Sequence, residues 1–218
     1  MRQTASDAMQ QRHTYRAWRS RVALLLLGLC LAYAIRLGAS WLSPPSMPPT
    51  VYDDLGGDFT LQAAHGPVSL DAYRGSIVLL FFGYTGCPDV CPVTLANIAA
   101  ALRLLKGMAE LEKVQAVFIT LDPERDSAEK VDTYARYFHP RIHGLTGTSA
   151  QVAQAAAAFK IAYSKHPAES GPGYAIDHSA YIYVLRPDGR VGAVLSHTAT
   201  PKDIVEAVKP WLAWARAS

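Results

Sequence analysis

Ile77 to Tyr84, IVLLFFGY, is a continuous apolar, β-branched and aromatic run that stops at Gly86-Cys87-Pro88. Such a run lacks the alternation of a half-exposed strand and reads as a strand buried on both faces, which requires helices on both sides of a sheet. A second run of this kind spans Val114 to Leu121. Between them, Leu95, Ile98, Ala99, Leu102 and Leu105 recur at helical spacing, so Val93 to Leu105 reads as a helix.

The same pattern continues downstream. Asp126 with Glu129 three residues later resembles a capping box opening a helix through Phe138, and Ala150 to Phe159 reads as a further short helix. Ala180 to Leu185 and Val191 to Leu195 read as strands joined by the turn Arg186-Pro187-Asp188-Gly189, and residues 202 to 216 as a last helix. A βαβα order finishing in a hairpin and helix predicts an α/β fold with a central mixed sheet flanked by helices, and the thioredoxin-like fold fits it.

With 218 residues, the chain suffices for one such domain, residues 51–218, plus a tail. The tail carries its own signals. In the first 21 residues Arg2, Arg12, Arg16, Arg19 and Arg21 face only Asp7, a net charge of +4. Residues 22 to 35 are unbroken apolar and the run extends past Arg36 to Leu42. Twenty-one residues make a helix of about 30 Å, the thickness of a bilayer core. Arg36 and Trp41 suit the outer interface.

These features predict a cytoplasmic basic leader over 1–21, one transmembrane helix over 22–42 and a semi-rigid spacer over 43–50, SPPSMPPT. The domain would then lie outside a bacterial plasma (inner) membrane, on the periplasmic side. A cleavable signal peptide is the rival, with Gly38-Ala39-Ser40 as a poor site. Leu29 is too large for a lipoprotein signal at Cys30, which reads as a buried membrane residue. After Arg36 the net charge is −2, which argues against a nucleic-acid partner.

Cys87-Pro88-Asp89-Val90-Cys91 follows the first buried strand and precedes a helix, and ligand sites in open α/β sheets lie at the carboxyl ends of strands. Pro92 is tolerated only in a helix's first turn, so the cysteines bracket a loop at a helix N-terminus, whose open N–H groups stabilise thiolate. A structural disulfide is the bland alternative, but closing three intervening residues removes little loop entropy. The spacing is also one residue longer than C-x-x-C, and a metal between two sulfurs tolerates the wider separation. Two soft thiolates select Cu(I) or zinc and leave a site incomplete.

Of the seven histidines, His178 is the best placed third donor, because Ala175-Ile176-Asp177-His178-Ser179 leads straight into the strand at Ala180. A histidine at a strand end also serves as a hydrogen-bonded structural residue, and spacing alone does not choose between the two. Asp177 is a candidate acceptor to orient His178. His139 and His143 are separated by Pro140 and read as loop residues; His13, His65, His166 and His197 have no other ligand types nearby. Asp122, Glu124 and Arg125, at the end of the second buried strand, belong on the same rim as the cysteines, as a capped and salt-bridged turn or a partner-docking element.

The stretches YTGCPDVCP (84–92), LDPERD (121–126), GLTG (144–147) and AIDHSAYIYVLRPDG (175–189) resemble, in order and spacing, the recurring blocks of the Sco/SenC family, over roughly residues 55 to 215. The resemblance implies a copper chaperone whose two thiols also allow thiol–disulfide reductase activity. It implies that Cys87, Cys91 and His178 bind one Cu(I) or Cu(II) and that the copper-accepting subunit of cytochrome c oxidase is the partner, either receiving copper or having its thiols kept reduced. Other periplasmic copper or thiol-redox proteins are further candidate partners. The alternative is a membrane-anchored thiol–disulfide oxidoreductase with Cys87 as nucleophile and Cys91 as resolving thiol. A thiol peroxidase fits less well, since Tyr84 stands where peroxidatic sites carry Thr or Ser.

Overall fold

A computed structural model describes residues 25–35, 52–106, 111–168 and 173–217 of the chain. It divides into two compact units, Met1–Pro44 and Pro45–Ser218. In the first unit residues 25–35 are helical with exposed side chains, Cys30 among them. The leader 1–21, both ends of the expected span 22–42, the residues 38–40 and the spacer 43–50 lie outside the described residues. Among the described residues no helix is long and apolar enough to cross a membrane.

The second unit is built on a five-stranded sheet of order β5-β4-β3-β8-β9. Its strands are β3 (Ile77–Gly83), β4 (Val114–Thr120), β5 (Ile142–Leu145), β8 (Tyr181–Leu185) and β9 (Val191–Ser196). Central β3 pairs parallel with β4 and antiparallel with β8, so the sheet is mixed, as expected. All seven residues of β3 are buried. Because strand side chains alternate, Ile77, Leu79 and Phe81 join one core layer and Val78, Leu80 and Phe82 the other.

Helices cover both faces. The first layer contains Leu95, Ile98 and Leu102 of α1 (Val90–Leu105), Val131 and Ala135 of α2 (Ala128–Phe138), and Ile204 and Val208 of α4 (Pro201–Ala217). The second contains Val152, Ala155 and Ala156 of α3 (Ser149–Ala158), together with Leu61 of the hairpin β1 (Thr60–Ala63) and β2 (Gly66–Ser69).

Several local expectations change. The α2 cap is Ser127, whose side chain accepts the Lys130 N–H, and not Asp126. Asp126 is instead buried by long-range partners. The capping box belongs to α3, where Thr148 and Gln151 satisfy each other reciprocally. His143 lies on strand β5 rather than in a loop. A further hairpin, β6 (Tyr163–Pro167) paired antiparallel with β7 (Tyr174–His178), forms a separate two-stranded sheet.

Candidate metal centre

The sheet's topology brings three elements to one place. Strand β3 ends at Gly83, and the chain turns through Tyr84, whose carbonyl accepts the Cys87 N–H at 3.3 Å. It then enters α1 at Val90. Asp89 occupies the N-cap but makes no side-chain cap hydrogen bond. The sulfur of Cys87 takes that role, accepting the N–H of Cys91 at 3.4 Å. A helix N-terminus therefore points an unpaired donor and its partial positive charge at one cysteine.

The two cysteines are free thiols in unlike surroundings, Cys87 half-buried and Cys91 buried. The Cys91 thiol donates to Cys87, whose pKa falls to about 4, helped by His178 and by the amides of Cys91 and Asp89 against the cost of burial. That same hydrogen bond and burial push the Cys91 thiol far up. The arrangement favours the thiolate on the accessible sulfur and the proton on the buried one.

His178 ends β7. Its Nδ1 lies 3.1 Å from the Ser179 carbonyl oxygen, and its Nε2 lies 3.6 Å from Cys91 Sγ. A carbonyl can only accept, so Nδ1 carries the hydrogen, and Nε2 faces the sulfurs, where with a hydrogen it donates to the Cys87 thiolate and without one it can ligate a metal. The ring packs edge-on against Phe81 and Tyr84, with centroids 6.3 Å away in both cases. Bonds of about 2.3 Å to sulfur and about 2.0 Å to nitrogen, the lengths found at zinc sites, would span a gap of this size around a single ion. Among the described residues no three His, Cys, Asp or Glu side chains already form a metal cage. Cys87 is the donor with room to move, since it faces a cleft of about 810 Å³ also lined by Asp89, His166, Asp177, His178 and His197.

Asp177 does not orient His178. Its exposed carboxylate pairs with His166 Nε2 at 3.1 Å, because adjacent residues on a strand point to opposite faces. The Asp122, Glu124 and Arg125 rim reaches the site by another route. Arg125 pairs with buried Asp122, donates from Nη1 to the Tyr174 carbonyl at 2.9 Å, and stacks 3.7 Å from the Tyr174 ring centroid. Tyr174 donates its hydroxyl to Asp122 at 2.6 Å, and Glu124 pairs with Lys165 at 2.8 Å.

Asp126 and Thr85 went unnoticed in the sequence as site-building residues. The Asp126 carboxylate accepts the Thr85 N–H at 2.9 Å, the Thr85 and Thr120 hydroxyls, and the Lys130 ammonium. It ties the turn that carries Cys87 to the end of β4. Asp126 sits six residues beyond Thr120 but 41 beyond Thr85, and no local pattern carries the second link.

Residues 48–213 match the SCO1/SenC family model. The mitochondrial SCO2 homologue of Bos taurus is 40% identical over 162 residues, 74% of this chain and 61% of that protein, so the chain spans about three fifths of that relative's length. The structure of Bradyrhizobium japonicum ScoI with copper bound superposes with a TM-score of 0.65 at 35% identity, covering 72% of this chain and 99% of that one. BsSco, described as a member of the Sco family of cytochrome c oxidase assembly proteins with a disulfide switch, gives 0.58 at 27% identity, covering 75% and 98%. With a mixed sheet, two thiols and an imidazole at the end of its central strand, and a family match over most of its length, the chain belongs to the SCO1/SenC family.

Proposed function

We propose that the protein is a copper carrier that binds one Cu(I) or Cu(II) through Cys87, Cys91 and His178. Its partner is the copper-accepting subunit of cytochrome c oxidase, to which it delivers the ion or whose thiols it keeps reduced. The observation that carries this is the 3.6 Å approach of His178 Nε2 to Cys91 Sγ beside the half-buried Cys87 thiol. A purely thiol-based exchanger has no need of that imidazole. Copper bound by ScoI of Bradyrhizobium japonicum supports the choice of metal.

The residues divide the work. The Cys87 thiolate, facing the cleft, meets an arriving ion first, and a modest rotation of its side chain closes the distance to the other donors. Cys91 gives up its proton as the ion binds, since metal ligation requires thiolate. His178 completes the donor set from the opposite wall. Release reverses the order, with an acceptor's thiolate or imidazole displacing the accessible Cys87 bond first.

The same two cysteines support a second reading, favoured by the low pKa and partial accessibility of Cys87. Oxidation of the thiolate–thiol pair removes two electrons and one proton and forms one Cys87–Cys91 disulfide; a thiol–disulfide reductase would pass these electrons to a partner disulfide, which is reduced to two thiols as it takes up protons. His178→Ala separates the readings. In a strain lacking the native gene, the variant is expected to lose oxidase activity at limiting copper while cycling between dithiol and disulfide. Full rescue together with demonstrated loss of copper binding would overturn delivery in favour of thiol exchange.

The basic leader and the apolar run 22–42 support anchoring in a bacterial plasma membrane with the domain outside. Fractionation is expected to recover the full chain in membranes, with the domain open to externally added protease. Recovery of the chain in the cytosol would contradict this placement.

A further inference from the structure

We propose that Arg125 is a positioning residue for His178: clamped between Asp122 and the Tyr174 ring, its guanidinium fixes the β6–β7 hairpin on which the imidazole is carried. This rests on the copper reading only for its effect on metal, not for its effect on the hairpin.

The hairpin needs such a fixture. It pairs with no strand of the five-stranded sheet, and among its ten strand residues only Ile176 is buried. A two-stranded ribbon with one buried side chain is marginal by itself. His178 is its last residue, so any sliding or lifting of the ribbon moves Nε2 relative to the Cys91 sulfur, which is held by α1. Two main-chain N–H groups tie the inner half of the ribbon, Ser179 donating to the Ala162 carbonyl at 2.9 Å and Ile176 to the Tyr84 side-chain hydroxyl at 3.4 Å. They leave its outer half to side chains.

Those side chains converge on the loop after β4. Arg125 contributes three contacts at once: an ion pair with Asp122, which is 1% exposed, a hydrogen bond to the Tyr174 carbonyl, and a stack on the Tyr174 ring. Its guanidinium also lies 5.9 Å from the Tyr84 ring centroid, which places it over the turn leading to Cys87. Tyr174 returns a hydroxyl bond to the same Asp122, and Lys165 on the other strand lies 4.7 Å from the same ring while pairing with Glu124. One planar cation thus joins the loop of β4 to the hairpin, and a planar fork that both stacks and donates is something lysine cannot reproduce.

The test uses the full-length reduced protein, with hydrogen exchange on the metal-free chain and Cu(I) competition against a chromogenic Cu(I) chelator. Arg125→Ala is expected to speed exchange in β6 and β7 at least about tenfold, equivalent to about 1.4 kcal/mol, and to leave β3 and β4 unchanged. It is expected to weaken Cu(I) binding at least about tenfold in the native background and no further in a His178→Ala background. Arg125→Lys should rescue only part of either effect. Tyr174→Leu removes the stack from the hairpin side and should give the same two signs.

Unchanged hairpin exchange in both Arg125→Ala and Tyr174→Leu would overturn the proposal. Equal weakening of copper by Arg125→Ala with and without His178 would also overturn it, since Arg125 would then act on the thiols directly. Native Cu(I) affinity in His178→Ala alone would instead remove the copper reading, and the exchange data would still decide whether Arg125 fixes the hairpin.

Discussion

Asp126 reaches back 41 residues to Thr85, accepting its backbone N–H at 2.9 Å and its hydroxyl, although the carboxylate is almost wholly removed from solvent. The contact joins the end of β4 to the turn that delivers Cys87. Four donors surround one charge, and their hydrogen bonds outweigh the cost of burial and hold the carboxyl below its usual range.

Asp126→Asn is therefore expected to destabilise the domain by about 2–4 kcal/mol at pH 7, because a buried, charge-assisted network loses its anion while Lys130 stays beside it. A depressed folded-state pKa contributes stability that is present above the unfolded value of about 3.9 and is lost as pH falls through the lower, folded value. Denaturant unfolding should show the native-minus-variant difference shrinking below about pH 4. A difference that is constant from pH 3 to pH 7 would remove Asp126 as the source.

The thiol pair predicts an asymmetry in alkylation. With Cys87 lowered to about 4 and accessible, and Cys91 raised and buried, iodoacetamide should label Cys87 first. Its rate should change little between about pH 6 and about pH 8, where an ordinary thiol of pKa about 8.5 would gain nearly tenfold per unit. Peptide mapping of the labelled, metal-free protein reads both results, and preferential labelling of Cys91 would contradict the arrangement.

Gly83 ends β3 directly beneath the site. A Cβ there would stand 2.6 Å from Cys91 Sγ and 2.9 Å from the Phe118 ring, both closer than packed atoms come. Gly83→Ala should cost about 1–3 kcal/mol in unfolding and push the Cys91 sulfur out of line with His178. Weakened Cu(I) binding is the expected result, and unaltered copper affinity would show that the sulfur has slack.

What the sequence revealed follows from what is local. The runs Ile77–Tyr84 and Val114–Leu121 are apolar without alternation because both faces of those strands are covered, and that imprint needs no partner to be read. His178 was legible from its place before the strand that pairs with β3. The hairpin that bears it was not, because Tyr163–Pro167 is exposed and polar and carries no periodic pattern. Asp126-Ser127-Ala128-Glu129 contains the spacing of a cap one residue early, while the true partners of Asp126 lie in another loop. Likewise Asp177 is next to His178 in the chain, yet the strand's alternation sends it to His166.

The central claim, that Cys87, Cys91 and His178 together hold one copper ion, is tested most directly by titrating the reduced full-length chain with Cu(I) and Cu(II). Competition against a chelator and EPR and visible spectra report the outcome. One copper per chain is expected, with Cu(II)–thiolate absorption that His178→Ala diminishes and Cys87→Ser or Cys91→Ser abolishes together with tight Cu(I) binding. Native stoichiometry, affinity and spectra retained in all three variants would contradict the claim.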